Sequence, residues 1–320
     1  MRPAIALLAA TCAALAAGCS PEPESPAAAA PPPSAAAPKG QVITAGRGGF
    51  IPEGIEYDQA NGRFLTGSVA EGTIFEIGRD GSVVPFIRDA DLVSSFGIEA
   101  DEPRDRLLVA NSDRASFRGD AAGQAKLGVY NLTTGERLAM VDLGAVLGAQ
   151  PKYLANDVTV DGAGNAYVTD TMNGVVYRVT ADYQPSVLHR FTNLPDGAQL
   201  NGIVYHDRGY LLVVAGEHMY KVPVANPAGT TKVDVAQPLA GQDGIVWAAD
   251  GRLVATSYSD TQPQLVAFAS NDDWATAQRV GVAPLAGQAT TAAAVGDEVW
   301  AVHPHFADDE PPTIEQAVFE

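Results

Sequence analysis

A unit of forty-odd residues recurs six times along the chain, and this period restricts the fold more than any other feature of the sequence. Each unit has a small or polar residue, usually Gly, then an apolar pair, an Asp or a turn, and a β-rich run. It reads EGIEYDQANGRFLTGS from Glu53, FGIEADEPRDRLLVAN from Phe96 and NDVTVDGAGNAYVTD from Asn156. It returns as NGIVYHDRGYLLVVA from Asn201, DGIVWAADGRLVATS from Asp243 and, more faintly, ATTAAAVGDEVWAV from Ala289. The starts lie 43, 60, 45, 42 and 46 residues apart. Short runs of Val, Ile, Leu, Tyr and Thr alternate with Gly, Asp and Asn turns, and no convincing amphipathic helix interrupts them. Such a period with several strands per unit belongs to a β-propeller blade. The expectation is an all-β, six-bladed β-propeller occupying residues 40–320 as one domain.

The second unit is longer than the others, and its excess falls in SDRASFRGDAAGQAK, between Asn111 and Leu127. This polar stretch reads as a loop. Strands within a blade run antiparallel, so the start of the first and the end of the second share one end of the propeller. The insertion should therefore overhang the face on which the unit starts converge, either as a lid presenting Arg114, Phe117 and Arg118 or as a plain surface excursion.

The unit starts carry the chemistry. In order they are Glu53, Phe96, Asn156, Asn201, Asp243 and Ala289, and four of the six bear side-chain oxygens. The innermost strand of each blade lines the channel, so these residues should ring the axis. Carboxylates converging without a counter-ion repel one another and are costly to desolvate. A cation removes the conflict, giving a central metal-binding channel with Glu53, Asn156, Asn201 and Asp243 as ligands. All-oxygen coordination without His or Cys favours Ca²⁺, with Mg²⁺ or Mn²⁺ as alternatives.

Charge and cysteine content exclude other functions. Twenty Lys and Arg against 38 Asp and Glu give a net charge of −18, without a basic cluster. Such a field repels phosphate backbones, which argues against nucleic-acid partners. The two cysteines, Cys12 and Cys19, both precede the repeats, so the folded part has no disulfide and no thiolate nucleophile. Residues 1–18 read as a signal peptide with an apolar stretch, Ala4 to Ala17, too short to span a bilayer. Its end, Leu15-Ala16-Ala17-Gly18-Cys19, resembles a bacterial lipobox, which implies lipidation of Cys19. Residues 19–39 are almost entirely Pro, Ala, Ser and Glu and read as an extended tether. The implied location is the cell envelope, on the periplasmic side of the outer membrane, with membrane contact only through this anchor and the protein a monomer.

The segments IPEGIEYD, LANDVTVDGAGNAYVTD, LNGIVYHDRGYLLVVAGEHMYKV and GQDGIVWAADGRLVAT resemble the senescence-marker-protein/gluconolactonase/luciferin-regenerating-enzyme family. They are also similar to paraoxonases, which share its six-bladed propeller. The resemblance implies a catalytic Ca²⁺ or other divalent ion held by Glu53, Asn201 and Asp243, with Asn156 as ligand or substrate contact. It also implies hydrolysis of lactones or related esters, with Asp243 activating water. The chain departs from paraoxonase-like members by Phe96 in place of a His. It departs from gluconolactonases by lacking their Arg-containing sugar pattern around Asn156. A further segment, AKLGVYNLTTGERLAMVDL, looks like the yellow/royal-jelly propellers, which are largely binding proteins.

Further residues should reach the cup face from the ends of second strands: Asp170, Tyr258, His303 and His305, the last two around Pro304. With Phe96 they are candidate substrate contacts, and a His there could move a proton near neutral pH. His189 and His206 fall at other points of their units and read as surface residues. Ser68, Ser112 and Ser257 lack a G-x-S-x-G setting, which argues against a serine triad. The favoured function is divalent-metal-dependent hydrolysis of a lactone or similar neutral ester, a small-molecule substrate. The alternative is a non-catalytic ligand-binding or scaffolding propeller with a structural ion.

Overall fold

The computed structural model describes residues 40–119, 121–257, 263–306 and 310–320. Cys19 and Tyr258, and with them the signal and tether segments, lie outside the described residues. Six sheets, each of four strands or in one case five, follow one another along the chain. Their inner strands are Ile55–Asp58, Ser94–Asp101, Ala155–Val160, Leu200–His206, Gln242–Trp247 and Thr291–Val295, in blades 1 to 6 respectively. Each inner strand touches its two neighbours and the last touches the first, so the six close a ring. The fold is a six-bladed β-propeller.

Closure of the ring depends on a strand that precedes the first repeat. Val42–Thr44 pairs antiparallel with Thr313–Gln316 and forms the outermost strand of blade 6, in the register Ile43↔Ile314. The two ends of the repeat region are thereby stitched by backbone hydrogen bonds. Blade 5 has its fifth strand from Asp234–Val235, which pairs parallel with Thr276–Pro284.

Both faces of every blade are covered by a neighbour. Side chains alternate across a strand, so successive residues enter different interfaces: Phe64 packs toward blade 6 and Leu65 toward blade 2. Leu211 packs toward blade 3 and Leu212 toward blade 5. The apolar core is therefore distributed over six inter-blade clusters. This is why the second strands read as continuous apolar runs such as YLLVVA rather than as alternating patterns.

The Asp of the repeat serves the turn after the inner strand. Asp58 is fully buried and accepts bonds from the Asn61 amide and the Arg63 guanidinium. Asp161 does the same for Ala163, Asn165 and Tyr167.

Candidate active site

The residues at the unit starts face the channel because their strands are locally irregular. Register shifts fall between Ser95 and Ile98, Ala155 and Val158, Leu200 and Ile203, and Gln242 and Ile245. Phe96, Asn156, Asn201 and Asp243 lie within these irregular segments. A bulge bends its strand and re-aims a side chain, here toward the axis.

Glycines complete the geometry. Gly54, Gly97, Gly202 and Gly244 each follow a ring residue, and each abuts the inner strand of the next blade. A Cβ on Gly202 would sit 2.6 Å from the Asp243 carbonyl oxygen, and one on Gly244 would sit 2.0 Å from Thr291 Oγ1. Second-strand hydroxyls tie these approaches together: Thr169 Oγ1 donates to the Asn201 carbonyl at 2.8 Å, and Thr256 Oγ1 to that of Gly244 at 3.0 Å. Thr290 Oγ1 donates to the Glu53 carbonyl at 2.7 Å across the closing seam. In blade 6 it is thus Thr290, not Ala289, that occupies the ring position and lines the cup.

Glu53, Phe96, Asn156, Asn201 and Asp243 line one cup of about 610 Å³. Its electrostatics are those of a site short of positive charge. Burial pushes the Glu53 carboxyl well above its usual range, and Asp243 and Asp157 raise it further. Burial raises Asp243 to about 7, with a hydrogen bond from Asn201 opposing and Asp157 adding to the shift. Asn156 Oδ1 is buried with no protein donor. Among the described residues no three His, Cys, Asp or Glu side chains group as a chelating cluster, so a cation here needs the amides as well as the carboxylates. Two carboxylates and two amide carbonyls, one lacking a donor, fit a hard divalent ion.

The lid stretch folds over this cup. It contains one helical turn, Ala115–Arg118, and Arg114 and Phe117 line the cavity. The Lys152 ammonium donates to the Ser116 carbonyl at 2.7 Å, the Tyr153 amide to the Ala122 carbonyl at 2.8 Å, and the Arg114 amide to Ser94 Oγ at 3.1 Å. The stretch is bound to the rim rather than projecting from it. Phe96 is 5% exposed, with its ring 6.0 Å from that of Phe117.

Three expected substrate contacts are placed elsewhere. Asp170 is fully buried and accepts bonds from the amides of Leu154, Met172 and Asn173, the Asn173 side chain and Tyr177 Oη. It organises the turn after its strand and presents nothing to the cup. His303 is buried in blade 6, with Nδ1 3.0 Å from the Gln288 carbonyl and Nε2 3.0 Å from a Glu315 carboxylate oxygen. His305 adopts a left-handed backbone, φ 52°, and its ring lies 3.4 Å from Thr313 Oγ1. Asp170 and His303 are the last residues of their strands, Ala166–Asp170 and Glu298–His303, and local hydrogen bonds hold both in the blade, whereas His305 lies beyond the strand end. Ser68, Ser112 and Ser257 are buried. Ser112 Oγ bonds to the Gln124 and Ala155 carbonyls and Ser257 Oγ to that of Ala240.

The sequence reading missed Ile51, Val69, Gln199 and Phe306 in the wall of the cup. Ile51 and Gln199 stand two residues before Glu53 and Asn201 but precede the inner strands Ile55–Asp58 and Leu200–His206, so strand alternation gave no signal for them. Phe306, on a loop, had none. A second acidic group was missed as well. Glu56, Glu99 and Asp157 line the other mouth of the channel, a cavity of about 310 Å³. Burial raises Glu56 to about 8 and Asp157 to about 7, and moves Glu99 well above its ordinary value.

No protein-family model matches the chain, and no curated protein sequence matches it. Solved structures do. A gluconolactonase from Xanthomonas campestris matches with a TM-score of 0.61 at 15% identity, covering 88% of this chain and 98% of its own. This chain shares the gluconolactonase propeller fold. A luciferin-regenerating enzyme matches with a TM-score of 0.61 at 11% identity, covering 87% and 95%. A virginiamycin B lyase from Staphylococcus aureus matches with a TM-score of 0.56 at 12% identity, covering 87% and 98%. The likeness in fold thus extends over the whole repeat region.

Proposed function

We propose that the protein is a divalent-metal-dependent hydrolase acting on a lactone or related ester. The observation that carries this reading is the buried, undonated Asn156 Oδ1 in one cup with two carboxylates that burial and neighbouring acids push above their ordinary proton affinity. Glu53, Asn156, Asn201 and Asp243 would hold the ion, with Ca²⁺ the best match to an all-oxygen set. When bound, it would supply Lewis acidity toward a carbonyl oxygen and stabilise negative charge there.

The remaining chemistry belongs to the chain. Asp243 is the group in the cup suited to accept a proton from attacking water, with the Asn201 amide opposing the rise in its proton affinity. Phe96 and Val69 form an apolar wall that limits competing water. The likeness to gluconolactonases supports lactone chemistry over other ester types. A binding-module reading is favoured by one observation: with His303 and His305 engaged elsewhere, no described histidine lines the cup. We also propose that Cys19 carries a lipid that tethers the propeller to the periplasmic side of the outer membrane.

The test is a lactone and aryl-ester hydrolysis screen of the purified protein, after chelation and with Ca²⁺ restored. Activity should appear only with metal. Asp243→Asn keeps an oxygen ligand but removes the proton acceptor. With metal at saturation its turnover should fall by about a hundredfold or more, the usual worth of general-base assistance. A protein that binds metal tightly and hydrolyses nothing would transfer the assignment to the binding module.

A further inference from the structure

The cup holds two features that metal-assisted hydrolysis leaves unused. The first is apolar. Of the aromatic side chains in the described residues, Phe117 at 52% and Phe306 at 45% are the prominently exposed phenylalanines, and both line this cavity, with Phe96 beneath. Exposed aromatics gathered at one concave site mark a place where a ligand can pack.

The second is a cation. Arg114 is the one Lys or Arg among the described lining residues, it is half-buried, and its guanidinium has no acceptor among the described residues. Arginines at the blade seams are matched: Arg63 pairs with Asp58 and Glu76, and Arg106 with Asp101. Arg114 is held at the cup by the bond from its own amide to Ser94 Oγ and by the Lys152 tie on the next turn. A planar guanidinium presented this way matches a carboxylate in bidentate fashion.

Charge balance sets what can enter. If a divalent ion neutralises Glu53 and Asp243, as the reading above requires, the cup retains the single positive charge of Arg114 within a chain of net −18. We propose that the substrate is an amphipathic anion: a lactone or ester with an apolar, preferably aromatic, body and one carboxylate. Arg114 fixes the carboxylate and Phe117, with Phe306, packs the body. This rests on the hydrolase reading for the reacting bond, while the ligand chemistry stands on the lid residues. The substrate is then an anion rather than a neutral ester, because a guanidinium in the wall of the cup outweighs screened charges on the far surface.

The experiment is calorimetric binding to the full chain in saturating Ca²⁺, with 4-phenylbutyrate and its neutral isostere 4-phenylbutanamide as probes. Wild type should bind the carboxylate at least tenfold more tightly than the amide. Arg114→Gln should reduce that ratio by about tenfold, the worth of one charge-assisted contact, and Arg114→Lys should retain part of it. Any carboxylate contact with the ion is common to all variants, so the change in ratio isolates Arg114. Phe117→Ala should weaken both probes and leave the ratio unchanged. Failure of wild type to bind either probe, or an unchanged ratio in Arg114→Gln with an unaltered melting temperature, overturns the proposal. Hydrolysis of an aryl lactone bearing a carboxylate is followed in parallel. Binding with the expected pattern but no turnover upholds the ligand class and refutes the hydrolase.

Discussion

Glu56 provides a direct check on the electrostatics of the channel. Its carboxyl lies on the inner strand of blade 1 at the mouth opposite the cup, and burial, then Asp157, raise it from 4.5 to about 8, with the Tyr57 amide opposing. The folded protein therefore holds this proton more tightly than the unfolded chain does. Between the two values the folded state binds more protons, so stability falls as pH rises. The cost is absent below the unfolded value, grows from about 4.5 and is complete above about 8. At about 1.4 kcal/mol per unit the ceiling is about 5 kcal/mol; the residue is only partly buried and lines a cavity, so about 2 kcal/mol is the working figure. Glu56→Gln keeps the shape of the protonated acid and removes the charge. The assay is scanning calorimetry of chelated wild type and variant at pH 5 and pH 9. At pH 9 the variant should melt higher by on the order of 5 °C, and at pH 5 the gap should shrink to a small fraction of that. A variant no more stable at pH 9, or equally advantaged at both pH values, would falsify the placement of this carboxyl in a poorly solvated acidic cluster.

Chelation of the metal-loaded protein should lower its melting temperature, since an ion at about a hundred times its dissociation constant stabilises the folded state by about 2.7 kcal/mol; an unchanged melting temperature after verified metal removal removes the ring as a cation site. Gly97→Ala places a Cβ 2.3 Å from Asp157 Oδ1 and 2.9 Å from the Asn156 carbonyl oxygen. Blades 2 and 3 must part, costing about 1–3 kcal/mol in a denaturant titration and weakening metal binding with it; wild-type stability would show that the inner strands are not so close. Cys19→Ala should move the protein from the membrane to the soluble envelope fraction, and wild type left unlabelled by a fatty-acid analogue would exclude lipidation.

The repeat made the architecture legible. A unit carrying Gly, apolar pairs and turn residues at near-constant spacing can bury both faces of its sheet only against copies of itself, so six blades followed from sequence. The ring did too, because corresponding positions of repeated units share one geometric environment: Glu53, Asn156, Asn201 and Asp243 line one cup. Local sequence also located the lid stretch, since an insertion between two strands must emerge at a known end of the sheet.

What tertiary structure alone decided lies where a residue's direction depends on partners distant in the chain. Val42–Thr44 gives no hint that it completes blade 6, because its partner Thr313–Gln316 is supplied by ring closure. His303 and Asp170 left the site because Glu315 in one case and the donors of a turn in the other hold them in the blade. Phe306 reached the cup along a loop with no period to read. The acidic mouth of Glu56, Glu99 and Asp157 depends on three blades converging, and its raised proton affinities come from burial, with neighbouring carboxylates adding to it at Glu56 and Glu99. Periodicity fixes which face of a strand a side chain takes; only the closed ring determines what that face meets.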